Sequence, residues 1–215
     1  MPSLTTPVPG LHATGTARLP YQDDVLLRSF LLERPAGNVL VHNSPGLTTD
    51  AHAIADLGGA SHLLVNHEHE AMYGDPGLDV PVFVHERDRA ATARSMLVTG
   101  TFGDRRMLDD DLEVIPTPGH TAGTTCFLWD SGLHRFLFTG DFVWISDGEW
   151  QAVVLDPALR EDYLESLALV RDLDFDVLVP WGVSERDACV AMTTRDETRA
   201  RIDAMIARVG AGEGR

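Results

Sequence analysis

Lysine is missing altogether: all 17 basic residues are arginine. Nothing in the chain requires a lysine-free surface, so this reads as a composition bias, although the two side chains differ physically. Basic charge is scarce as well. Against 33 acidic residues the formal net charge is −16, so the average surface repels phosphate backbones and anionic membranes. Neither nucleic acid nor a membrane is expected as a partner. Arg105-Arg106 could hold a small anion, but an exposed turn is the plainer reading. Cysteine is nearly absent. Cys126 and Cys189 fall in apolar runs, strand-like at 125–129 and helix-like at 188–192, which excludes a disulfide framework and a zinc knuckle. No apolar run is long enough to span a bilayer, and residues 1–10 have neither the basic nor the apolar segment of a secretion signal. The expectation is a soluble, cytoplasmic protein.

What is present fits one domain over residues 1–215, with 1–10 and 210–215 frayed. Hydrophobic residues make up 44% and charged residues 23%, a globular balance at a length that allows one substantial core. Residues 11–43 read as strands: 11–19, then 25–32, then a Pro35-Ala36-Gly37-Asn38 turn and 39–42. Thr48 or Thr49 could cap a helix running to about Leu57, closed by Gly58-Gly59. The strand that carries His67 and His69 follows, then one at 81–84, a helix from His85 to about Met96, and strands between 107 and 138. Strand and helix alternating in this middle region imply a partly parallel sheet. Tyr163, Leu164, Leu167, Val170 and Leu173 make one stripe of an amphipathic helix over 157–173. A last strand at 177–180 precedes a terminal helix over 186–209, with interruptions near Thr193-Thr194.

The chemistry gathers at strand ends. Leu63-Leu64-Val65-Asn66-His67-Glu68-His69 ends an apolar run in two histidines spaced i, i+2, which in extended chain puts both imidazoles on one side. Imidazole is the commonest biological metal ligand, yet His-x-His alone is weak. His120 lies in Pro116-Thr117-Pro118-Gly119-His120-Thr121-Ala122-Gly123, a loop whose prolines fix the backbone. Asp141 follows a buried strand in Phe138-Thr139-Gly140-Asp141. Together these could make a metal site of three histidines, with or without the aspartate.

In this order the motifs resemble the metallo-β-lactamase-fold superfamily, over about residues 25–185. The resemblance implies a four-layer αββα sandwich, two mixed sheets face to face with helices outside. It also implies metal ligation by His67, His69 and His120, with Asp141 as a further ligand and catalytic carboxylate. Two departures stand out. The family's Asp-His after His-x-His is Ala71-Met72 here, and its final Pro-Gly-His-Gly is Pro180-Trp181-Gly182-Val183. The chain therefore keeps every residue of the family's first metal site and loses the three belonging only to the second, which implies one divalent metal, zinc first and iron as the alternative.

Other residues have a plain reading beside the functional one. His42 falls where relatives place an aspartate and could support the ligands, or be a loop histidine. Glu68 and Glu70, alternating with the histidines, should face away into solvent. His12, His52, His62, His85 and His134 show no ligand spacing. Trp144, Trp150 and Trp181 could line an apolar substrate cleft or pack in the core. Three functions are open: a mononuclear hydrolase of a small-molecule ester, thioester or lactone; an iron oxidoreductase resembling persulfide dioxygenases through His67, His120 and Asp141; and a binding or scaffold protein that keeps the fold without catalysis. Length leaves no room for the inserted domain of the family's nucleases or the helical domain of glyoxalase II-like thioesterases. A small-molecule substrate is expected, and a homodimer is the assembly left open.

Overall fold

Short segments buried at every position, such as Val39–Val41, Leu63–Leu64 and Val177–Pro180, behave as strands covered on both faces. A computed structural model describes residues 4–214 and places these segments in the middle of two large sheets. The first has seven strands in the order Thr5–Val8, Leu11–Ala13, Phe30–Leu32, Val39–Val41, Leu63–Leu64, Val82–His85, Gly100–Phe102. Its pairing is antiparallel up to Val39–Val41 and parallel beyond. The second has six strands, Arg106–Asp109, Leu112–Pro116, Thr125–Asp130, Arg135–Gly140, Val177–Pro180 and Ala191–Met192, with one parallel pair, Arg135–Gly140 against Val177–Pro180.

Phe30, Leu32, Val41 and Leu64 of the first sheet meet Phe127, Phe136, Phe138 and Val179 of the second in one buried cluster. Tyr163, Leu167 and Val170 of helix Arg160–Arg171, with Ile202, Met205 and Val209 of helix Arg195–Gly210, cover the second sheet's outer face. Leu47 and Ile54, from the short helices Gly46–Thr49 and Ala51–Asp56, pack with Leu31, Leu40 and Leu63 on the first. This is the αββα sandwich, α+β in composition. A third sheet of five strands, Glu149–Gln151, Trp144–Ser146, Gly182–Ser184, Gln22–Leu27 and Ala17–Leu19, stands beside the two.

That third sheet divides two of the expected strands. The runs 11–19 and 25–32 each break, at Thr14–Thr16 and at Arg28-Ser29, so that one half pairs in the first sheet and the other in the third. Backbone bonds from Thr14 N to the Ser29 carbonyl and from Arg28 N to the Trp181 carbonyl hold the crossing. Helix 85–96 is a single turn, Arg89–Thr92. Neither Thr48 nor Thr49 caps the helix after it: their hydroxyls donate to the Pro76 and Pro45 carbonyls. The expected helix 186–209 begins only at Arg195. Thr194 and Glu197 form a reciprocal capping box there, and Ala191–Met192 pairs as a strand, so Cys189 lies outside any helix. Thr5–Val8 is a paired strand rather than a frayed end, and Gly214 accepts a backbone bond from Val154. Residues 1–3 and 215 of the segments expected to fray lie outside the described residues. No helix among the described residues is long and apolar enough to cross a membrane.

Candidate metal centre

The strand Leu63–Leu64 ends before the histidines. His67 keeps an extended backbone (φ −156°, ψ 163°) and the chain then tightens into a 3-10 helix, Glu68–Tyr73. The two imidazoles therefore converge across a change of backbone geometry, not by alternation along a strand, with ring centroids 5.2 Å apart. His120 arrives from the loop between Leu112–Pro116 and Thr125–Asp130. Gly119 turns that loop at φ +148°, in a place where a Cβ would lie 2.6 Å from the Tyr163 backbone. Asp141 follows Gly140, whose φ of +58° and close approach to the Asn66 side chain leave no room for any other residue.

Among the described residues, His67, His69 and His120 form the group whose ligand atoms all lie within 4.8 Å of one another. His69 Nδ1 is 3.0 Å from His120 Nε2. His120 Nδ1 lies 2.9 Å from the Val153 carbonyl; a carbonyl only accepts, so Nδ1 carries the proton and the Nε2 lone pair faces the cluster. Asp141 Oδ2 is 3.4 Å from His67 Nε2 and 3.9 Å from His120 Nε2. His67 is wholly buried, and neither of its ring nitrogens makes a hydrogen bond. Such an orphaned imidazole is costly, and a divalent cation among three imidazoles and a carboxylate would satisfy it.

In the absence of a metal the charges sort themselves. Burial works against a charged His67, but Asp141 and Glu70 outweigh it and push its pKa up to about 10. Burial and then the positive His67 bring His69 and His120 down to about 4. Burial opposes the charge on Asp141 and Glu70 too, yet His67 beside the first, and His42 then His67 beside the second, hold both near about 2.

Glu70 overturns the expectation that it faces solvent. The 3-10 turn carries it back under His67, fully buried. Its carboxylate accepts from the backbone N–H of Asn43 (2.6 Å) and of Asn66 (2.9 Å), and its Oε1 lies 3.4 Å from His67 Nδ1. His42, at φ +66°, has Nδ1 3.2 Å from the same oxygen; it touches Glu70 and reaches the cluster only through it. Asp88 was missed altogether. It accepts from the Glu68 N–H (3.0 Å), the Thr121 hydroxyl (2.6 Å) and the Gly123 N–H (2.7 Å), binding the His67–His69 turn to the His120 loop. No spacing rule marks it; an acid just past the strand Val82–His85 was the only signal.

The remaining residues settle as follows. Trp144 lines the cavity over the histidines. Trp181 does not: it is buried edge-on to His67, 5.4 Å between centroids, and donates from Nε1 to the Asn43 carbonyl. Trp150 is in the core against Phe175. His85 bridges the Arg87 N–H and the Gly103 carbonyl, His12 pairs with Glu33, and His134 with Asp176. Ala71, Met72 and Gly182 line the same cavity and offer no ligand atom.

The family model described as the metallo-beta-lactamase superfamily matches residues 49–183. Among solved structures, the metallo-beta-lactamase from Pontibacter korlensis superposes with a TM-score of 0.68 at 16% identity, over 98% of this chain and 99% of that one. The enzyme from Hirschia baltica gives 0.66 at 15% identity, over 95% and 97%. GOB-18 from Elizabethkingia meningoseptica gives 0.62 at 16%, over 98% and 90%. No curated protein matches the sequence significantly. At such identities the structural likeness is one of fold, and with the family match over most of its length it establishes that the chain belongs to the metallo-beta-lactamase superfamily.

Proposed function

We propose that this protein is a mononuclear metal-dependent hydrolase of a small-molecule ester, thioester or lactone, with His67, His69 and His120 as metal ligands and Asp141 beside the metal. The observation that carries the reading is His67, wholly buried, with neither ring nitrogen making a hydrogen bond and a carboxylate oxygen 3.4 Å from each. Zinc is the metal this donor set fits first, since three imidazoles and an open position suit it. When bound, such a metal lowers the pKa of a water to near neutrality and polarises a carbonyl. Asp141 Oδ2, 3.4 Å from His67 Nε2 and 3.9 Å from His120 Nε2, would be the carboxylate to orient such a water and accept a proton. Glu70 holds the His67 ring and Val153 fixes the His120 tautomer.

One metal follows from the losses. A Cβ on Gly182 would lie 3.1 Å from both Val25 and Leu27, so the space for a last histidine is tightly collared by apolar side chains. Asp141 near His67 and His120 also supports a second reading, an iron oxidoreductase with those three as a facial triad. With a net charge of −16, a small molecule remains the expected partner, and the cytoplasm the expected location.

Elemental analysis of protein purified without chelator or metal-affinity resin tests the reading. About one zinc per chain, lost in His120→Ala with the fold intact by circular dichroism, is the expected result. Iron would move the assignment to oxidation chemistry. No metal, even after reconstitution, would leave a scaffold.

A further inference from the structure

The cavity over the histidines measures about 860 Å³, within the range of small-molecule sites, and its chemistry is lopsided. His69, His120 and Asp141 make its floor, while Leu19, Val25 and Leu27 of the third sheet line one wall and Ala71, Met72 and Leu155 extend the lining. Its opening is apolar too. Tyr21, Met72 and Leu155 all line the cavity and are 71%, 43% and 57% exposed, whereas large apolar side chains left in water are normally scattered singly. The charged lining away from the floor is one acid and one base, Glu68 and Arg94, so it presents no excess of positive charge for an anion. Two of the positions where relatives hold further ligands, Ala71 and Met72, have become part of the apolar lining.

We infer that the cavity binds a neutral carbonyl compound carrying an aliphatic tail, with the carbonyl end at the histidine floor. The tail lies along Val25, Leu27, Ala71 and Met72 and leaves past Leu155. Only the fate of the carbonyl end rests on the hydrolase reading; the tail's site depends on the walls alone.

The probe is a series of straight-chain 2-alkanones from 2-butanone to 2-nonanone, titrated by calorimetry into metal-free and zinc-loaded protein. Affinity is expected to rise about three- to fourfold per added methylene, the increment for taking a CH₂ out of water. Met72→Asp and Leu155→Asp alter positions 43% and 57% exposed, and circular dichroism checks that each variant folds. Each should weaken 2-nonanone binding about tenfold, about two methylenes' worth, and leave 2-butanone nearly unaffected. A flat series, or variants that bind 2-nonanone like the parent, would overturn the inference. Chain-length-dependent binding in a protein that cleaves no ester, thioester or lactone would support it while removing the hydrolase reading. Cleavage of short esters with a flat ketone series would do the reverse.

Discussion

Glu70 shows how a single residue can be misread when its backbone state is. In a continuing strand it would alternate with His67 and His69 and face solvent; in the 3-10 turn it closes under His67 with backbone N–H groups for partners. A carboxylate against the outer nitrogen of a ligand histidine fixes the ring and raises its basicity. Glu70→Gln is isosteric but uncharged and turns one accepting oxygen into a donor facing a backbone N–H; we predict a loss of metal affinity of about 10–100-fold, read by competition with a chromophoric chelator while circular dichroism reports a retained fold. Affinity equal to the parent would mean His67 needs no such partner. The same charges set the pH profile of the metal-free protein. His67, raised to about 10, contributes stability that is complete below its unfolded pKa of about 6.5 and is lost as pH rises through about 10. His69 and His120, lowered to about 4, act the other way: their contribution is present above about 6.5 and drains as pH falls toward 4. Asp141 and Glu70, near about 2, add a loss only in stronger acid. Urea midpoints of metal-free protein should therefore peak near pH 6.5 and fall on both sides; a midpoint still climbing between pH 7 and 10 would contradict the His67 assignment.

At the scale of elements, the motifs were legible where the chain is locally constrained and obscure where tertiary contacts decide. The glycines and prolines around His120, and Gly140 before Asp141, announce fixed turns, and the structure brings His120 into the cluster and Asp141 beside it. Gly15 is a turn signal inside the first break, but Arg28-Ser29 carries none as strong; there a bond from the Arg28 N–H to the distant Trp181 carbonyl makes the change of sheet. Helix 85–96 fails for a related reason. Asp88, at its start, gives its carboxylate to Glu68, Thr121 and Gly123 on two other loops instead of capping the turn. Asp88→Ala would leave buried donors unpaired, each costing about 1–3 kcal/mol, and would release the His67–His69 turn from the His120 loop. We expect lower urea midpoints in metal-free protein together with weaker metal binding. Asp88→Asn, which can still accept bonds through its amide oxygen, should recover most of the stability. Loss of stability without loss of metal affinity in Asp88→Ala would show that the two loops are held together by other means.

Across the whole molecule the sandwich delivers three histidines and a carboxylate to one edge of two sheets, and binding there must feed back on folding. A ligand at 100-fold over its Kd that binds only the folded state adds about 2.7 kcal/mol, which for a chain of this size raises Tm by about 5–10 °C. Zinc titration should produce that shift in the parent and none in His120→Ala.

The same view decides whether the second site could be restored. Ala71→Asp with Met72→His replaces residues that already border open cavity. Gly182→His is different: its Cβ points to within 4.0 Å of Asp141 Oδ1, the direction a ligand needs, but sits 3.1 Å from Leu27 and Val25. Both side chains are buried with Trp181, and although they also border the cavity they must give by a few tenths of an ångström to admit the new Cβ. The triple variant should therefore show a lowered Tm and no gain in metal stoichiometry, because the new imidazole is forced off its rotamer. Adding Val25→Ala removes one side of the collar, and the quadruple variant should bind a second metal equivalent by elemental analysis. If it still binds one, the position of Gly182 does not correspond to the relatives' last ligand. If the triple variant already binds a second, the collar yields more easily than its packing suggests.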